Sequence, residues 1–373
     1  PLLRIRRKSF KYLYIVFYPG RGKGVFHIMK ITCSKADLLS SVSTAMKAVS
    51  NKTTLPILEC ILIEAEDKIK LTATDMELGI ETYVEGSIQD PGKIAIDAKL
   101  FFEYIRKLPD SEILIETNEN YQATIRCEKS KFVISGKSGD DFSLLPEVER
   151  NKGISLSQFT VKEFIRQTIF STVENESTKL MSGELFEIEG NNMKIVSLDG
   201  HRISIRNVAL KEHHDLIKVV VPGKTLNEVS KILEGGTDDY VDIYFTDKHI
   251  LFEFGETKVV SRLLEGEYYK INQMLTNDYE TKVIINKRDF LNCIDRASLL
   301  IKESDKKPII INIKNDTIYM KIDSVLGSMN EELDTRKEGK DLMIGFNPKF
   351  MIDALKVIDD EEIEMFMVNP KAP

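Results

Sequence analysis

Paired cysteines, metal-ligand spacings and long apolar runs are all missing from this 373-residue sequence, and each absence removes a class of protein. The four cysteines, Cys33, Cys60, Cys127 and Cys293, show no CxxC spacing, which argues against a zinc ribbon and a disulfide framework and fits a reducing cytoplasm. The five histidines, His27, His201, His213, His214 and His249, form no HExxH or similar metal-binding pattern, and no GxSxG, Walker or GxGxxG motif accompanies them. Gly20-Arg21-Gly22-Lys23-Gly24 is rich in glycine but lacks the Walker spacing. No run reaches the roughly 18 to 20 apolar residues that span a bilayer, so a membrane partner is not expected. Neither a cofactor nor a resident metal is implied.

What is present is a charged chain, 30% Asp, Glu, Lys and Arg, too long for one hydrophobic core. Residues 1–28 stand apart. They carry seven Lys or Arg and no acid, so without them the net charge falls from -7 to -14. The apolar stretch Tyr12 to Tyr18 is too short for a membrane span and lacks a cleavage site, and Met29 opens the first strand-like run. The expectation is that 1–28 is upstream or vector-derived sequence, with a functional basic arm as the alternative.

From there the sequence repeats itself three times. KADLL at 35, VKEFI at 161 and KRDFL at 287 recur at intervals of 126, and strands ending in Asp75, Asp199 and Asp323 at intervals of 124. Strand-turn-helix units with Lys99, Lys224 and Lys349 recur at 125. Boundaries fall near 150–155 and 276–281, giving domains at 29–153, 154–278 and 279–373. Ile61 to Ile63, Lys68 to Thr72 and Ala123 to Arg126 alternate as half-buried antiparallel strands do. After Lys35 a helix should bury Leu38, Leu39, Val42, Met46 and Val49, and a second helix over Leu100 to Leu108 should start on Asp97 and stop at Pro109. Each domain reads as a doubled β-α-β-β-β unit, an α+β arrangement with two helices on antiparallel sheets. Only 24 residues follow Lys349 where domain two has about 50, so the third domain is expected to lack roughly 20 C-terminal residues.

Charge is distributed unevenly. The six helical stretches with their flanks hold 18 Lys or Arg against 15 Asp or Glu, a net of +3, and the rest of 29–373 carries -17. Such a chain could hold DNA against its helices and repel it elsewhere, because phosphate attraction is local. Asp199-Gly200-His201-Arg202 superficially resembles a catalytic cluster, but it has no partner motif. Acids that recur by position at 75, 199 and 323 point to a fold role such as closing a turn.

Thr54-Leu55-Pro56-Ile57-Leu58, Thr74-Asp75-Met76-Glu77, Lys99-Leu100-Phe101-Phe102-Glu103, Asp199-Gly200-His201-Arg202-Ile203, Val219-Val220-Val221-Pro222-Gly223-Lys224 and Gly345-Phe346-Asn347 together resemble the bacterial DNA polymerase III beta subunit family, the sliding clamps. The resemblance runs in order from Met29 to Pro373. It implies a DNA-clamp fold of three repeated domains, a head-to-tail homodimer closed into a six-domain ring, and a processivity factor that catalyses nothing. Implied partners are duplex DNA, the polymerase III catalytic subunit, an ATP-driven clamp loader, and other polymerases and repair proteins bearing short linear motifs.

The resemblance puts Lys52, Lys99, Lys224 and Lys231 among the DNA-facing residues, with Lys179 keeping a charge where some relatives have an arginine with aromatic neighbours. It makes Met181, Gly200, His201, Arg202, Ile203, Tyr269 and Met274 line a groove between domains two and three for those motifs, closed in the family by a C-terminal tail whose absence would weaken peptide binding. Phe132, Ile134, Leu299 and Leu300 match the subunit interface. The alternative is a clamp-fold scaffold that binds protein motifs without encircling DNA. A metal-dependent nuclease or deaminase would need acids or His/Cys converging in one domain, whereas these are spread evenly.

Overall fold

The computed structural model describes residues 29–370 apart from 51–52, 174–175, 276–277 and 302–307, together with two short strands, Leu2–Ile5 and Leu13–Val16. Six helices of nine to twelve residues recur in pairs: α1 Lys35–Ala45 and α2 Ala98–Lys107, α3 Gln158–Thr168 and α4 Gly223–Ile232, α5 Lys287–Ser298 and α6 Pro348–Lys356. Local chemistry fixes their starts. Ser34, Asp97, Ser157, Asn286 and Asn347 each accept a hydrogen bond from a backbone N–H in the first turn that would otherwise have no partner, worth about 1 kcal/mol apiece. Pro222 precedes α4 without such a bond.

The chain forms two compact units, Pro1–Glu147 with Gly255–Val260, and Val148–Phe254 with Ser261–Pro373. In the first, five antiparallel strands run in the order Ser130–Ser135, Gln122–Cys127, Glu112–Thr117, Lys30–Ser34, Gly86–Asp90. A second sheet runs Lys137–Ser138, Gly92–Asp97, Cys60–Ala65, Ile69–Thr74, Leu78–Val84. Helix α1 lies on the last two of these strands, α2 on Cys60–Ala65 and Gly92–Asp97, and the helices touch each other. Phe101 and Ile105 of α2 are fully buried, as its apolar stripe requires.

Two expectations for this unit are corrected. Cys60–Ala65 is buried on both faces rather than alternately, because Phe142 and Ile57 cover Cys60, Leu62 and Ala95 on the face opposite Ile61 and Ile63, whereas Lys68 to Leu71 does alternate and the pattern breaks only at buried Thr72. Helix α1 ends at Ala45 and tightens into one 3-10 turn at Met46–Ala48, which swings Met46 and Val49 off the buried stripe; Leu38, Ser41, Val42 and Ala45 form that stripe. The Gln122–Cys127 strand does alternate, and α2 runs from the Asp97 cap to Leu108.

The second unit contains the other two repeats. In repeat two the short strands fuse. Gly183–Leu198 pairs with Ile203–Pro222 along its length, with register shifts around Gly190 at φ 60°. In repeat three, Thr281–Asn286 sits between Arg336–Gly339 and Glu362–Met367, beside a four-stranded sheet ordered Gly327–Asp334, Thr317–Ser324, Ile309–Lys314, Leu342–Phe346. Phe290, Cys293, Ile294 and Ala297 of α5 fill its core.

The recurrent acids close turns in two repeats of three. Asp75 Oδ1 accepts from the N–H of Glu77 and Leu78 at 3.0 and 2.8 Å, and Asp199 Oδ1 from those of His201 and Arg202 at 3.0 and 3.1 Å. Asp323 does not. Its strand runs one residue further, so Ser324 Oγ accepts from Leu326 N–H, while Asp323 pairs with Lys321 at 3.1 Å on the surface. Among the described residues no helix is long and apolar enough to cross a membrane.

Candidate functional site

The turn at Asp199 opens onto a cleft of about 1220 Å³ in the second unit. Gly200 supplies the left-handed conformation, φ 84°, that a turn of this kind favours, leaving the backbone bare at the rim. Met181, Gly200, His201, Arg202, Ile203, Tyr269 and Met274 all line this one cleft. Its other wall comes from repeat three, with Phe346, Met351 and Phe366, and from Tyr279, whose ring meets that of Phe366 edge-on at 5.0 Å. Beneath it Leu185, Val196, Leu198, Val220, Tyr268 and Ile271 form a buried floor.

Arg202 is the tie between the two walls. Its Nε donates to Asp199 at 2.8 Å, Nη1 to Asp353 at 2.9 Å and Nη2 to the Phe170 carbonyl at 2.6 Å, and the guanidinium lies 4.5 Å from the Phe350 ring centre. With these partners it is a positioning residue for α6. His201, exposed, stacks on Phe350 at 5.6 Å. Arg166 makes a second tie between repeats, donating to Asp359 and to the Val357 carbonyl. The cleft is thus mostly apolar, with His201, Arg202, Gln273, Asp278 and Asn369 as polar members of its lining, and the ion pairs of Arg202 and Arg166 tie the two repeats together.

Next to the floor, Glu184 is fully buried. Its Oε2 accepts from Thr168 Oγ1 at 3.0 Å, and Oε1 has no hydrogen-bond partner. Loss of hydration pushes its carboxyl up to about 8, against a smaller lowering by Thr168. The four cysteines are buried, and burial raises each thiol, Cys33 and Cys293 to about 12. Among the described residues no three His, Cys, Asp or Glu gather as a metal site would need.

Lys99 and Lys224 occupy the second position of α2 and α4 and are exposed, and Lys349 holds the same position in α6. Lys231 is paired with Glu228 one turn earlier at 2.8 Å, and Lys179 is exposed. Lys52 lies outside the described residues.

Models of the N-terminal, central and C-terminal domains of the DNA polymerase III beta subunit match residues 29–146, 155–270 and 272–373 in succession. The chain belongs to the DNA polymerase III beta subunit family. The beta sliding clamp of Staphylococcus epidermidis is 35% identical over 363 residues, covering 92% of this chain and 96% of that protein. A structure from Eubacterium rectale described as a DNA polymerase III beta subunit is 62% identical with a TM-score of 0.90, covering 92% of this chain and 94% of that one. The sliding clamp structure of Bacillus subtilis is 33% identical with a TM-score of 0.90, covering 93% and 94%. This chain is accordingly a beta sliding clamp, a non-catalytic processivity subunit of DNA polymerase III.

On the clamp, Ser130–Ser135 is an edge strand, but Phe132 stacks on Tyr104 at 4.1 Å and Ile134 is buried, so both face their own domain while Val133 points out. Leu299 is 76% exposed just after α5, and Leu300 is half-buried against the repeat-three core. The resemblance sets the groove between domains two and three, but it names none of the residues of the repeat-three wall. That wall's only sequence signal is the methionine and phenylalanine cluster of Glu362–Met367, which as a strand pattern reads as core.

Proposed function

We propose that two copies close head to tail into a six-domain ring around duplex DNA, slide along it, and hold the replicative polymerase by a peptide seated in the cleft. The observation that carries this is a complementary pair of open sheet edges. Ser130–Ser135 pairs on one side only, as does Gly327–Asp334, and unpaired edges seek partners. Lys129 precedes the first strand and Lys131 lies in it, while Glu332 and Asp334 lie in the second, so an antiparallel junction between copies would join opposite charges. Two such junctions, with Leu299 and Leu300 beside them, close a heterologous dimer after two subunits. Lys52, Lys99, Lys179, Lys224 and Lys231 would face phosphate, without regard to sequence.

In the cleft the seven residues named above would take an apolar anchor of the polymerase III catalytic subunit, the clamp loader, or other polymerases and repair proteins. The loader's ATPase would supply the opening step. The test is retention on nicked circular DNA through a high-salt wash, followed by linearisation. A ring stays on the circle and leaves after the cut; a scaffold that does not encircle DNA is lost in the wash, and that result would overturn the reading.

A further inference from the structure

The turn that carries Gly200 has a counterpart in the first unit. Asp75 closes it with the same two backbone hydrogen bonds, and the next residue is again left-handed, but there it is Met76, φ 77°, instead of glycine. A side chain in that conformation is strained. Packing does not offset the strain, since Met76 is 59% exposed.

Two neighbouring segments complete the parallel. Phe142, like Tyr268 in repeat two, is buried in the cluster beneath, against Ile57, and Leu145 fills the space over Gly79, where an added Cβ would meet its Cδ2 at 2.2 Å. The residues around Phe142 therefore touch both the segment that follows Leu55 and the strand that leaves the Met76 turn. Each of the three segments presents one exposed apolar side chain: Leu55, Met76 and Leu144, the last 73% exposed.

The charge around this patch differs from that of the cleft. Glu77 stands where the cleft turn has His201, and Leu78, buried, where it has Arg202. Glu59, Glu77 and Glu147, within four residues of Leu55, Met76 and Leu144 in the sequence, are exposed, against the cation Lys137, whose Nζ donates to the Pro56 carbonyl at 2.6 Å. We propose that this surface of the first repeat is a second docking site, for a short protein segment with apolar anchors flanked by lysine or arginine. It borrows only the position of the turn from the cleft reading and stands or falls separately.

Methionine methyl groups labelled with carbon-13 report both sites in the full chain, Met76 at one and Met181 and Met274 at the other. The probe is a synthetic peptide with a leucine-leucine-phenylalanine-leucine centre and two basic residues at each end; its control has glutamates in their place. The expected result is that the basic peptide moves the Met76 resonance and the acidic one does not. Leu144→Ser, which removes the apolar anchor without adding charge, should then weaken the basic peptide about tenfold at Met76. Shifts confined to Met181 and Met274, equal shifts with both peptides, or a Met76 shift that tracks chain concentration without peptide would each overturn the proposal, the last by making the patch a contact between copies. Failure of the peptides at Met181 and Met274 alone would count against the cleft and leave this site intact.

Discussion

Replacing Glu184 by glutamine should change how stability depends on pH, in a direction opposite to that of a paired surface carboxylate. In the folded chain the carboxyl holds its proton up to about 8, against an ordinary value of 4.5. Between those values the folded state keeps a proton that the unfolded state releases, so stability falls as pH rises, by about 1.4 kcal/mol per pH unit. This contribution is fully present below pH 4.5 and is lost as pH rises through 8; by pH 7 about 3 kcal/mol has gone. Glu184→Gln keeps the shape and the Thr168 contact and removes the titration. At pH 5 its stability should match the parent chain, or fall about 1 kcal/mol short through an amide N–H left without a partner. At pH 7 it should be more stable by about 2 to 3 kcal/mol. Urea unfolding followed by hydrogen-exchange mass spectrometry of the Gly183–Leu198 strand reads this locally, with the repeat-three strands as an internal control. A difference between the two chains that stays flat from pH 5 to 9 would refute the argument, because Glu184 would then be ionised in the fold.

Three further outcomes follow from the geometry. Arg202→Ala removes partners from Asp199 and Asp353 together and should cost about 3 kcal/mol in unfolding experiments, whereas His201→Ala, at an exposed ring, should leave stability within about 0.5 kcal/mol and weaken a polymerase-derived peptide in a calorimetric titration. Equal stability losses in both variants would remove Arg202 from its positioning role. Leu299→Asp places a charge on an exposed side chain and should shift sedimentation from dimer to monomer without loss of helix content; an unchanged dimer at low concentration would exclude that surface from the interface. Lys99→Glu with Lys224→Glu should reduce the clamp's retention on DNA and flatten its salt dependence by roughly one unit of log slope for each lysine–phosphate pairing removed. Unaltered salt dependence would place DNA elsewhere.

Much of the fold was legible in the sequence because its signals are local or periodic. The Asp97 cap, the Pro109 stop and the Phe101 and Ile105 stripe fix α2 from residues at or within one helix; recurrence of the strand-turn-helix unit locates α4 and α6, although α4 lacks a side-chain cap. What escaped depends on distant segments meeting. Cys60–Ala65 is buried on both faces only because Phe142, some eighty residues later, returns to cover it. The cleft's second wall required knowing that Phe346, Met351 and Phe366 approach Tyr269. Glu184 was unreadable for a similar reason: among 59 acids nothing local marks the one whose neighbours remove all its water.

The repeated turn shows how one backbone device acquires separate uses. Its closure needs only an acid two and three residues before two free N–H groups, so the side chains around it can vary without loss of the turn. In the first repeat Leu78 points inward and is buried, and the exposed neighbours are a methionine and a glutamate. In the second, the same inward position is Arg202, an arrangement sustainable only because Asp199, Asp353 and the Phe170 carbonyl meet its charge. Asp353 belongs to α6 of the third repeat. An arginine at that position is therefore sustained by a residue of the following repeat, and it ties the turn to the second wall of the cleft. Sequence recurrence identifies the turn, whereas the tie depends on Asp353, 151 residues away, which no local signal marks.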